Sequence, residues 1–232
     1  MKPDGFDVLY EEGPCLAVDK PAGLLTQAPP HIDSLERRLR QYLQQREAKP
    51  GRMYLGVPHR LDRPVSGVLL FARHVRAARR LSGQFERRMV DKRYVALLEG
   101  ALDNDTGEWV DYLGKVPEQP RAEVWEADHP LARLARLRYR VLCRVGECTC
   151  VEIELDTGRY HQIRVQAGSR QHPVVGDFQY GARQAFGPAC SDERERCIAL
   201  HARSITFYHP MTHESRTVVA PLPDYWGGLA LP

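Results

Sequence analysis

The chain has 232 residues, 43% of them hydrophobic, with 33 Lys and Arg against 30 Asp and Glu; that length can bury a full core, so one domain covering 1–232 is the economical reading. The start of the chain, from Met1 to Asp7, is polar, and no later stretch is long and apolar enough to span a bilayer, so a cytoplasmic protein is expected rather than a secreted or membrane-spanning one. Six scattered cysteines fit reduced thiols, and Cys143, Cys148 and Cys150 lack the paired CxxC spacing of a zinc site, so no metal is expected.

The mild net charge hides a strong asymmetry. Between His31 and Tyr94 there are 16 Lys and Arg against 6 Asp and Glu, whereas the rest of the chain carries 17 against 24. Clustered arginine of this kind suits a partner that is a phosphate polymer.

In chain order, Asp33-Ser34-Leu35-Glu36 reads as a helix N-cap with a reciprocal acidic partner, and Leu35, Leu39, Tyr42 and Leu43 follow at helical spacing, with Arg37, Arg38 and Arg40 on the outer face. A second helix is predicted over Val75–Met89, its inner stripe made of Val75, Ala78, Leu81 or Ser82, Phe85 and Met89, with Arg76, Arg79, Arg80, Arg87 and Arg88 mostly elsewhere. Strands are expected at Tyr94–Leu98, Gln162–Val165 and Leu200–Tyr208. Alternation over Leu137–Cys143 and at Thr149, Val151, Ile153 and Leu155 predicts a hairpin turning at Arg144–Glu147. Asp103–Gly107 is a turn cluster, and Glu118–Pro130 reads as an irregular surface excursion. Few helices and many strands make an α+β domain.

One stretch concentrates the chemistry: Pro58-His59-Arg60-Leu61-Asp62-Arg63-Pro64-Val65-Ser66-Gly67, followed by the apolar run Val68–Ala72. It sets a carboxylate between two guanidinium groups, where an aspartate stays ionised and can serve as base or nucleophile.

Around it stand Lys20-Pro21-Ala22-Gly23-Leu24, Lys92-Arg93-Tyr94 running to Glu99-Gly100, Gly158-Arg159-Tyr160-His161-Gln162-Ile163-Arg164-Val165, Gly176-Asp177-Phe178-Gln179-Tyr180-Gly181 and Leu200-His201-Ala202. In this order, and with the closing His209-Pro210 and Ala220-Pro221-Leu222-Pro223, the chain resembles the RluA-type family of RNA pseudouridine synthases from about Val8 to about Trp226. The resemblance implies a central mixed, largely antiparallel sheet flanked by helices. It implies isomerisation of specific uridines in a ribosomal or transfer RNA stem-loop, with no cofactor, no metal, no membrane and no obligatory protein partner. Many relatives carry a small extra RNA-binding domain, for which the early Lys20-Pro21 motif leaves no room here.

By the same resemblance Asp62 is the catalytic carboxylate, Arg164 its basic partner on a strand, and Tyr94 the ring that lies against the uracil. Arg60 fills the space left by a flipped base, while His59, Arg63 and His161 line the same mouth. Departures from the family pattern are Val65, Tyr160 and Gln166, which bear on the choice of RNA rather than on the reaction.

Two other classes fit parts of the pattern. A non-catalytic RNA-binding or RNA-folding protein on the same scaffold would keep the basic face but has no use for Asp62. A glycosidic hydrolase would need a second carboxylate as acid, and the nearby Asp156 and Asp177 read as turn residues rather than as half of a pair.

Overall fold

The computed structural model describes residues 5–48 and 53–227; the Met1–Asp4 start and Lys49 and Arg52 of the basic segment lie outside them. In chain order the elements are β1 (Asp7–Glu12), β2 (Cys15–Lys20), α1 (Leu35–Glu47), β3 (Ser66–Ala72), α2 (Val75–Glu86), β4 (Asp91–Glu99), β5 (Thr106–Lys115), β6 (Ala122–Trp125), β7 (Arg133–Val145), β8 (Cys148–Leu155), α3 (Gln162–Ser169), β9 (Leu200–Tyr208) and β10 (Ser215–Val219). The α+β class is as expected. The chain divides into two units, one taking residues up to Lys92 with Cys190–Glu195 and Ala202–Leu222, the other Arg93–Ala189, Arg196–His201 and the residues from Pro223 onward.

In the first unit the strand Ser66–Ala72, apolar from Val68 on, is buried at every position, as a strand covered on both faces must be. It pairs antiparallel with β2, from Cys15 opposite Ala72 to Lys20 opposite Gly67; β1 continues on the other edge of β2, and β9 lies on the far side of β3 with β10 beside it. Gly67 has φ of +116°, and a Cβ there would stand 2.3 Å from the Ala202 carbonyl oxygen. Only glycine lets the backbones approach this closely.

Helix α1 buries Leu35, Leu39 and Leu43, a stripe at i, i+4 and i+8, and starts at Ser34, whose hydroxyl accepts from Arg37 N–H. The expected reciprocal bond from Glu36 is not what forms: its carboxylate takes Arg40 and Gln27 instead. Helix α2 ends at Glu86 and buries Ala77, Leu81 and Gln84, leaving Val75 and Met89 exposed. The inner stripe is therefore rotated from the predicted one. Its buried glutamine, a polar residue that a hydrophobic pattern ignores, brackets Tyr208 by accepting from its N–H and donating to its carbonyl.

The second unit is an antiparallel run in the order β4, β8, β7, β5, β6. The β7–β8 hairpin turns at Gly146-Glu147, inside the predicted turn, and the alternating burial along β7 is that of a sheet with one wet face. Cys143 stands opposite Cys150, and all six cysteines are free thiols. Two elements depart from expectation. Strand β6 forms inside the Pro-rich excursion, since Ala122–Trp125 can pair along β5. Gln162–Val165 is the first half of α3 rather than a strand; His161 enters at φ +54° and redirects the chain, and four consecutive residues cannot distinguish the two periods when all are buried. Among the described residues no helix is long and apolar enough to cross a membrane.

Candidate functional site

The carboxylate motif sits in the first unit, on the loop that leads into β3, and its backbone is held on both sides of Asp62. Before it, Leu61 is gripped twice by one hydroxyl: Leu61 N–H donates to Thr26 Oγ1 at 3.1 Å and Thr26 Oγ1 donates to the Leu61 carbonyl at 2.9 Å. After it, the Arg63 carbonyl accepts from Gly23 N–H at 2.8 Å and from Lys20 Nζ at 3.2 Å. Lys20, fully buried, also donates to the carbonyls of Leu24 at 2.7 Å and Pro21 at 2.8 Å. A buried ammonium needs such acceptors, and the carbonyls it gathers belong to the Lys20–Leu24 turn and to the Asp62 loop. Val65 N–H closes the turn on the Asp62 carbonyl. The result is a half-buried aspartate on backbone that is fixed at the preceding and following residues.

His59 is anchored in the same loop. Its Nε2 accepts from Leu70 N–H at 2.9 Å and its ring stacks on Phe85 with centroids 4.6 Å apart. The residue is half-buried as a whole, yet burial first and Lys92 second push its pKa down to about 3, and an acceptor nitrogen must in any case be unprotonated. Arg60 is exposed, and Arg63 is half-exposed.

The second unit carries Tyr94, His161 and Arg164. Tyr94 lies on β4 opposite Ile153 of β8, half-buried. Arg164, in the first turn of α3, is buried and forked onto Asp177, Nε to Oδ2 at 2.6 Å and Nη2 to Oδ1 at 2.9 Å, with side chains only 5% and 1% exposed. Nη2 also donates to Gln179 Oε1, and the guanidinium lies 4.9 Å from the centre of the Tyr180 ring. This is a bidentate, charge-assisted clamp on a planar cation.

His161 stacks on Tyr160 at 3.8 Å and its Nδ1 is 2.7 Å from the Tyr180 hydroxyl. That hydroxyl also accepts from Ala122 N–H. The loop before α3 is tied down by Gln162, whose amide takes Thr157 Oγ1 and Arg159 N–H and donates to the Arg136 carbonyl.

Of the residues singled out from sequence, the structure thus places Asp62, Arg60, His59 and Arg63 in the first unit and Tyr94, His161 and Arg164 in the second. Sequence reasoning missed the residues that hold them. Thr26 carries no signal beyond the Lys20–Leu24 motif ahead of it. Asp177 was legible in part, since it lies between Gly176 and Gly181, which both have positive φ, but a turn role hides that its side chain is buried on Arg164. Gln166, one of the departures from the family pattern, donates to the Trp109 carbonyl and to Asp111. Both acidic residues that a hydrolase would recruit are engaged by arginine, Asp177 by Arg164 and Asp156 by Arg138 at 3.1 Å. Neither is arranged to act as a free acid. Among the described residues no cluster of metal-ligating side chains occurs.

A sequence profile of the RNA pseudouridylate synthase family matches residues 14–169. The dual-specificity RNA pseudouridine synthase RluA of Vibrio cholerae is 33% identical over 224 residues, covering 95% of this chain and 84% of that protein. The tRNA pseudouridine synthase C of Pasteurella multocida is 33% identical over 232 residues, covering 95% and 93%. Among solved structures, the human RNA pseudouridylate synthase domain containing 4 superposes with a TM-score of 0.77 over 95% of this chain and 90% of its own, at 21% identity, a likeness of fold.

Proposed function

Because this chain belongs to the RNA pseudouridylate synthase family, we propose that it converts specific uridines in a compact stem-loop of ribosomal or transfer RNA to pseudouridine, with Asp62 as the catalytic carboxylate. The enzyme is an RNA pseudouridine synthase, an isomerase. In the reaction the bond from uracil N1 to the ribose breaks, the base turns, and a bond from carbon 5 to the same sugar carbon forms. Carbon 5 loses a proton and N1 ends with one, so nothing is added or removed and no cofactor is called for. In this reading the chain is one cytoplasmic catalytic domain.

The observation that carries this reading is the double backbone clamp on Leu61 and Arg63. A reacting carboxylate gains from being held before the substrate arrives, because the ordering cost is then met in folding rather than in the transition state. Tyr94 supplies a flat face for uracil and a hydroxyl that can move a proton. Arg164, oriented by Asp177 and Gln179, supplies a fixed cation. Arg60 takes the place of the flipped uridine in the stack, and His59, Arg63 and His161 attend the entering nucleotide.

The basic segment supports an RNA partner unevenly. On α1, Arg38 and Arg40 are paired with Asp33 and Glu36. Along and just after α2, Arg76, Arg79, Arg80, Arg87 and Arg88 have no ion-pair partner among the described residues, so their charge is available to phosphate. Chemical mapping of pseudouridine in ribosomal and transfer RNA, from cells with and without this gene, tests the proposal. Loss of one or more modified positions is expected. An unchanged map in both RNA classes overturns it.

A further inference from the structure

Within the first unit a cleft of about 290 Å³ opens between the end of α2 and the β9–β10 turn, lined by Gln84, Arg87, Met89, Tyr208, Pro210 and His213, with Arg80 at its wall. Nothing in the catalytic assignment uses it. Its lining is mostly apolar, yet it exposes Tyr208 by 45% and Met89 by 44% beside two guanidinium groups, with no carboxylate in the wall. It is also built rather than incidental. Gln84, buried, fixes the Tyr208 backbone on both sides at 2.7 and 2.9 Å, and Arg80 ties α2 to the turn through the Pro210 carbonyl. The Arg87 side chain lies along the Met89 thioether, Nε to Sδ at 3.5 Å, and has no ion-pair partner among the described residues.

A preset aromatic face and soft thioether next to an uncompensated guanidinium are the elements that hold one unpaired nucleotide, base by stacking and phosphate by charge. We propose that this cleft seats a single unpaired nucleotide of the RNA substrate, its base on Tyr208 and Met89 and its phosphate on Arg87, apart from the uridine that is isomerised. The proposal rests on the reading of the chain as an RNA enzyme. It commits to RNA over a protein partner because the wall is cationic and the substrate is a polyanion, and its size stands at the lower end of small-ligand pockets, about 300 Å³.

The test uses the full chain and two probes, fluorescein-labelled hexauridylate and a hexamer carrying 5-iodouridine, with anisotropy read across a salt series. Tyr208→Ala should weaken binding about fivefold or more while leaving the salt slope unchanged, since stacking releases no counterion. Tyr208→Phe should bind as the parent does. Arg87→Gln should weaken binding and lower the slope by about one, the signature of one phosphate contact, and Arg87→Lys should restore the slope. Irradiation of the unaltered protein with the iodinated probe should label the Tyr208 peptide, a readout that depends on no variant folding. If the parent binds hexauridylate but labelling falls elsewhere, or both variants bind as the parent does, the nucleotide seat is refuted, including in favour of a protein occupant. If the parent binds neither probe and releases no tritium from RNA labelled at uridine carbon 5, the underlying reading fails instead, and the seat with it.

Discussion

The loop that carries Asp62 and the helix turn that carries Arg164 are both tied down, through different groups. Around Asp62 the grip is on backbone: Thr26 on Leu61, Lys20 and Gly23 on Arg63. Around Arg164 the grip is on the side chain itself, through Asp177, Gln179 and the Tyr180 ring. The difference follows from chemistry. On the proposed reading the carboxylate is positioned through the peptide frame on either side of it, whereas the Arg164 cation is bonded directly and buried, with Asp177 compensating its desolvation.

That contrast predicts which changes injure turnover and which injure folding. The largest effect falls on Asp62→Asn, which should lower tritium release from RNA labelled at uridine carbon 5 by about 10²–10⁴-fold or more while the melting temperature stays near the parent's; near-normal release would remove Asp62 from the reaction. Next comes Asp177→Asn, which removes the buried carboxylate forked onto Arg164 and should cost about 3–5 kcal/mol in urea unfolding. A variant as stable as the parent would mean that the Arg164 fork contributes nothing to the fold.

Thr26→Val is the corresponding cut on the other side. It removes both bonds to Leu61 with little change in shape and should cost about 1–3 kcal/mol, yet lower kcat by more than Asp177→Asn does per unit of stability lost. Equal partition between rate and stability in the two variants would erase the distinction drawn above.

The smallest effect is a pH dependence through His59, whose ordinary value of 6.5 drops to about 3 on folding. The unfolded chain then binds one proton more than the folded chain between those values, so this contribution is complete above about pH 6.5 and is lost as pH falls. Urea midpoints should decline between pH 6.5 and 5, before most carboxylates titrate, and His59→Gln should flatten the decline. Midpoints that are level over this range in the parent would show that the ring is not held neutral.

The basic helices repeat the lesson at the surface. Sequence treats the arginines of α1 and α2 alike, because a count of charge cannot see neutralisation. The fold pairs Arg38 and Arg40 and leaves the α2 set without carboxylates among the described residues. The same limit applies to Gln84, which hydrophobic periodicity assigns to no face and which in the structure is buried against Tyr208.

By itself the sequence determined what is local or modular. Alternation specified the β7–β8 hairpin, the leucine stripe specified α1, and the ordered motifs identified the family. Tertiary structure alone decided that Gln162–Val165 is helical, that Ala122–Trp125 pairs with β5, and that Arg164 is neutralised by Asp177. The physical reason is common to all three: each depends on the free energy of satisfying a buried polar group or a vacant strand edge with a partner distant in sequence, and that partner exists only once the chain has folded.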